Sequence, residues 1–146
     1  MKKLLLGLII FFVSFTVMSQ KKLYILTENT TECFINVETG DIFNCNETVK
    51  KPGTFIIDDE YSEKVGKNVF IHIVPSISSV YDVVSYRSEE SILIVENISD
   101  VGNNYIHHFD FSNNYITILF MNPDALIDNK YRKILMIKIS QTHTID

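Results

Sequence analysis

The sequence predicts an all-β fold: an antiparallel meander of about 8–10 short strands, closed into a small barrel or stacked as a two-sheet sandwich, with one short helix near residues 123–129. Three observations predict it. Alanine occurs once, at Ala125, whereas Ile, Val, Phe, Tyr and Thr abound, and branched and aromatic side chains suit a pleated surface. Turn-forming residues recur at intervals of about ten, the spacing of a sandwich or barrel. Between them apolar and polar residues alternate, the period of a strand with one buried face.

The chain has 146 residues, a net charge of −5 and 46% hydrophobic residues, which suits one domain and is too apolar for a disordered chain. Met1 to Lys3 is positive, and Leu4 to Val17 is almost unbroken apolar sequence. Val17 and Ser19 are small residues at the two positions a signal peptidase inspects. Residues 1–19 therefore read as a secretory signal peptide, and residues 20–146 as a single β-rich domain, secreted or periplasmic. The apolar run is about 15 residues, short of the roughly 20 a membrane span needs, so no stable membrane anchor is expected after cleavage. Losing Lys2 and Lys3 leaves 11 basic against 18 acidic residues. That acidity disfavours nucleic acid.

Leu23–Thr27 is the first candidate strand. Cys33–Val37 and Asp41–Cys45 follow as a hairpin, with Gly40 where a three-residue loop wants positive φ. Pairing Val37 with Asp41 sets Ile35 opposite Phe43 and Cys33 opposite Cys45. An oxidising compartment permits a disulfide between those two Cys, worth roughly 3 kcal/mol in the chain-entropy model. Thr54–Asp58 follows Pro52-Gly53. The polar stretch Asp59–Lys67 separates it from Asn68–Val74, which Pro75 ends. Val80–Arg87 and Ser91–Ile98 are joined by Ser88-Glu89-Glu90.

Asn104–Phe111 and Tyr115–Met121 follow, linked through Asn113-Asn114, since Asn tolerates the positive φ that a tight turn needs. Asn122 is a plausible N-cap and Pro123 suits a first helical position, which predicts the short helix. Lys133–Ser140 is the last strand. Tight turns make neighbouring strands antiparallel.

With Asn113 and Asn114 as a two-residue loop, Phe111 faces Ile116, Phe109 faces Ile118 and His107 faces Phe120. With Asp100–Asn103 as a four-residue turn, Ile94 faces Phe109 and Glu96 faces His107. Glu96, His107 and Phe120 then form the candidate ligand-binding group, a carboxylate beside an imidazole among apolar neighbours. No nucleophile elbow, Gly-rich phosphate loop or calcium-hand pattern is present, so no catalytic residue and no cofactor is assigned. His72, His108 and Asp110 are ligand types for zinc or iron, but nothing in the sequence makes their strands adjacent, and no metal is assigned. Asp58-Asp59-Glu60 with Glu63 reads as a solvated acidic loop.

The function expected is a non-catalytic binding or interaction module for a small apolar ligand or another exported protein. One alternative is a small hydrolase or isomerase using Glu96 and His107. Another is an assembly protein recruiting partners along an edge strand, Leu23–Thr27 or Lys133–Ser140. Clustering of the long connections at one barrel end (Asn46–Gly53, Asp59–Lys67 and Asn122–Lys130) would favour a binding mouth.

Overall fold

The computed structural model describes residues 22–145, so the expected leader at residues 1–19 lies outside the described residues. The strands are β1 (Lys22–Asn36), β2 (Ile42–Phe43), β3 (Val49–Asp58), β4 (Val69–Val74), β5 (Ile77–Glu89), β6 (Ile92–Ser99), β7 (Asn104–Asp110), β8 (Tyr115–Phe120), β9 (Leu126–Ile127) and β10 (Tyr131–Ile145). One α-helix, α1 (Asp59–Val65), joins β3 to β4. Of the two expected architectures the barrel is the one adopted. The order β1-β3-β4-β5-β6-β7-β8-β10 closes through β1–β10 pairing, giving an 8-strand antiparallel barrel.

Inward side chains fill it. Leu23, Ile25, Phe55, Phe70, Leu93, Phe109 and Ile116 are all essentially inaccessible to solvent. Each such side chain contributes about 1.5–3 kcal/mol by leaving water. The interior is zoned. On each strand that carries one, the polar inward residue lies on one side of the apolar ones: Thr27 beyond Leu23 and Ile25, His72 beyond Phe70, Asn97 beyond Leu93 and Val95, His107 before Phe109. All of these polar residues lie toward the same barrel end.

At that end β1 and β10 run past their barrel neighbours. β3 leaves β1 at Thr30, and β8 leaves β10 at Ile134. The overhanging parts pair with each other and are flanked by β2 and β9, making a four-stranded flap. Glu28 is a bulge that lets β1 bend out of the barrel wall. The single 15-residue β1 replaces the two shorter strands expected there.

The Cys33–Cys45 disulfide forms within the flap. The expected hairpin register does not hold next to it. Asn36 rather than Val37 pairs with Asp41, giving the four-residue loop Val37–Gly40, in which Gly40 has φ 78°. The Asn36 carboxamide oxygen accepts from Glu38 N and Thr39 N, which stabilises the longer loop. Asn44, at φ 53°, then inserts the extra residue that brings Cys45 level with Cys33, as Asn46 N donating to Glu32 O shows.

Three other expectations are corrected. The helix near 123–129 is a single 3-10 turn, Pro123–Ala125, followed by β9. The Asn122 side chain does not cap it, because its Oδ1 accepts from Asn104 N instead. The acidic stretch read as a loop is helix α1. Asp58 caps it by accepting from Glu60 N and Tyr61 N, and Gly66 ends it in the left-handed region. Finally, Leu23–Thr27 and Lys133–Ser140 are not edges. Each is bonded on both sides, because they close the barrel against each other.

Candidate functional site

The registers decide which polar groups meet. β6 pairs with β7 one residue away from the expected alignment, so Val95 faces His107 and Glu96 faces Ile106. A one-residue shift turns every side chain of a strand to the opposite face. Glu96 is therefore exposed on the outer wall, and the Glu96–His107 pair is not formed. Asn97 takes the inward place. Its Nδ2 donates to Val95 O and to Nδ1 of His107, both at 2.9 Å.

His107 is wholly buried, ringed by Phe70 and Tyr81 at 4.9 Å and by Phe55 at 5.8 Å between centroids. Burial, with His72 as a lesser influence, lowers its pKa to about 3. A neutral imidazole accepting at Nδ1 carries its proton on Nε2, and that atom has no hydrogen-bond partner.

β7 and β8 pair two residues from the expected register, so Phe109 faces Ile116, His107 faces Ile118 and Tyr105 faces Phe120. A shift of two preserves the face. Phe120 still points inward, but toward the flap end, 5.2 Å from the Tyr105 ring and beneath the Lys133 ammonium. It lines a crevice of about 220 Å³ with Asn103, Asn104, Tyr105, Asn122 and Asp124. The three expected ligand-binding residues thus occupy three separate environments.

A different group converges at the flap end. His72, on β4, stacks flat on Phe55 with centroids 3.9 Å apart. Gly53 lies beneath it. A β-carbon there would stand 3.1 Å from Thr27 Oγ1, 3.2 Å from His72 Nε2 and 3.1 Å from Ile73 O. Only a glycine fits there, and its missing side chain lets Thr27 and His72 approach the strand closely. Thr27 is 5% exposed, and its Oγ1 has no hydrogen-bond partner. Thr27 and His72 also line a recess of about 30 Å³, with Thr30, Lys51, Val74, Leu135 and Ile137. Burial, and then the Lys51 charge, lowers the His72 pKa to about 4.

Outside the recess lies a larger crevice, about 390 Å³, between the flap (Thr30, Glu32, Lys133, Leu135) and the β2–β3 connection with the start of β3 (Asn46, Glu47, Val49, Lys51). Lys133 is paired with Glu32 at 3.0 Å. The flap face above the crevice is aromatic, with Phe43 packed edge-on against Tyr131 at 5.2 Å and beside Phe34 at 6.3 Å.

The metal-type residues are not brought together. His72 points inward on β4, whereas His108 and Asp110 lie on the outer face of β7. Among the described residues no group of three His, Cys, Asp or Glu is placed to hold a metal. Thr27, Lys51 and Gly53 were not singled out from sequence as a site. The one signal was Pro52-Gly53, set before the expected strand Thr54–Asp58, whereas Gly53 is a close-approach position inside β3.

Comparison of the chain with protein-family models, with curated proteins and with solved structures gives no match.

Proposed function

We propose that this chain is an exported, non-catalytic binding module whose contact surface is the flap end of the barrel, and that its partner is another exported protein. The observation that carries the reading is the contrast between interior and mouth. The interior is filled by aromatic and aliphatic side chains, and its polar pair, Asn97 and His107, is sealed from solvent. The mouth carries the β2–β3 connection, 44–48, and the connection from β8 to β10, 121–130, with exposed apolar residues that include Val37, Ile42, Phe43, Val49, Ile77 and Ile127. Apolar side chains concentrated at one end mark an interaction surface. The Cys33–Cys45 bond fits an oxidising compartment. Among the described residues no helix is long and apolar enough to cross a membrane.

A small apolar ligand enclosed in the barrel is the weaker reading, because the interior is filled by side chains and the recess beside Thr27 and His72, about 30 Å³, has room for little more than one water. Site-specific photo-cross-linking tests the proposal. A photoreactive residue in place of Phe43, at the flap end, should capture a discrete protein from the exported fraction of the source cells. The same residue at Tyr115, at the opposite end, should not. Equal capture at both positions, or none at Phe43, would overturn it.

A further inference from the structure

We propose that the recess between Thr27, Lys51 and His72 is a carboxylate-binding subsite, in which these three residues hold the carboxylate of a polypeptide lying in the flap crevice. This rests on the binding-module reading and names the chemistry recognised. Three features carry it. First, the groups around the recess that can hydrogen-bond through side chains include three donors and no carboxylate: the Lys51 ammonium, the Thr27 hydroxyl and the His72 imidazole, with Thr30 at the rim. A neutral imidazole donates from Nε2 when an acceptor there selects that tautomer.

Second, Thr27 Oγ1 is buried without a partner. Such a hydroxyl costs about 1–3 kcal/mol unless something fills its hydrogen bond. Third, Thr27 and His72 converge: both close on the position a side chain at residue 53 would take, Thr27 Oγ1 to 3.1 Å and His72 Nε2 to 3.2 Å. Among the described residues Lys51 makes no ion pair, in contrast to Lys133, which Glu32 neutralises at 3.0 Å. Lys51 lines both the recess and the crevice, whereas Glu47 lines only the crevice, so the recess is the favourable position for an anion.

Size narrows the ligand. About 30 Å³ has room for one or two oxygen-sized atoms, which suits the two oxygens of a carboxylate, whereas the crevice of about 390 Å³ outside accommodates several peptide units. The carboxylate has two possible sources, a chain terminus or an acidic side chain, and both offer the same pair of oxygens.

The test uses the folded exported protein, with the His72 ring resonances read by NMR at pH 7 and constant ionic strength. Acetate should shift them saturably, and acetamide, its neutral isostere, should not. Lys51→Met, on an exposed side chain, should abolish the shift. Thr27→Val should weaken binding about tenfold while leaving the barrel folded. N-acetyl-dialanine with a free carboxylate, its C-terminal amide, and N-acetylglutamate amide then separate the sources. A terminus-reading site binds the first at least tenfold more tightly than the third, and a side-chain-reading site shows the reverse. Absence of a saturable acetate shift, or a shift unchanged in Lys51→Met, would overturn the proposal. Because acetate needs no partner protein, this result is independent of the cross-linking outcome.

Discussion

Asn97 Nδ2 and His107 Nδ1 stand 2.9 Å apart in the filled interior of the barrel, and each residue leaves one polar atom, Asn97 Oδ1 and His107 Nε2, without a partner. The pair is therefore only half satisfied. Its rings and amide are held by the aromatic cage of Phe55, Phe70, Tyr81 and Tyr105 rather than by a closed hydrogen-bond network.

A double-mutant cycle should expose that condition. Asn97→Leu leaves the imidazole with no hydrogen bond, whereas in His107→Leu the amide keeps its bond to Val95 O but loses its second acceptor. Each should cost about 1–3 kcal/mol through the buried group left behind. The double variant should be less destabilised than the sum of the singles by about 1 kcal/mol or more. Urea unfolding of the four proteins measures this, and strict additivity would deny the coupling.

Acid should destabilise the barrel well before its carboxylates titrate. His72 and His107 have folded-state pKa values of about 4 and about 3, against 6.5 for a free imidazole. The unfolded chain therefore binds more protons, and stability falls as pH drops below about 6.5. The loss from His72 is complete near pH 4 and that from His107 near pH 3. Between pH 7 and 5 the two together should remove about 3–4 kcal/mol. His107→Phe should recover roughly half of the pH dependence. Equal unfolding midpoints at pH 7 and 5 would contradict the neutral, buried state of both rings.

Removing the disulfide should loosen the flap rather than the barrel. The bond spans 12 positions and lies outside the closed sheet. Replacing Cys33 and Cys45 by Ala should cost about 2–3 kcal/mol. Amide exchange should accelerate from residue 36 to residue 46 while Leu23, Phe55 and Phe109 stay protected. Uniform acceleration across all strands would show instead that flap and barrel unfold as one unit.

Gly53→Ala should destabilise by about 1–2 kcal/mol, since its methyl would press on Ile73 O and Thr27 Oγ1, each 3.1 Å away. Ile73 O belongs to the backbone and yields little, so the His72 ring should move. A changed His72 ring resonance in a folded variant checks this, and an unchanged one would refute the close approach.

Most strands and the antiparallel all-β class were legible in the sequence because alternation and turn spacing are local signals, but closure into a barrel was not, since a sandwich uses the same alternation. Registers are not local. The Asn113-Asn114 turn was misplaced by two residues because Asp110 collects Ser112 N, Asn113 N and the Asn113 amide, which lengthens the loop. The inward set Tyr105, His107 and Phe109 survived that error, since two is the side-chain period. The turn between β6 and β7 was misplaced by one. Ile92, Ile94 and Glu96 then exchanged places with Leu93, Val95 and Asn97, and the expected site went with them. Both alternating sets on β6 are mostly apolar, so hydrophobicity could not choose between them. The recess was illegible for another reason: it joins Thr27, Lys51 and His72, which lie on three strands whose alignment no turn specifies.

Closure of the barrel by its first and last strands sets the order in which the chain can fold. Lys22 pairs with Ile145, so the seam joins the ends of the described chain. Bringing such distant segments together carries the largest loop-closure entropy in the fold and slows its completion. A chain emerging from its N-terminus must hold the long strand β1 open on one side until β10 arrives. Any truncation before Tyr131 would leave two exposed edges, β1 and β8, each a template for intermolecular pairing. The time spent with that seam open, rather than the depth of the finished core, governs how safely this protein reaches its folded state.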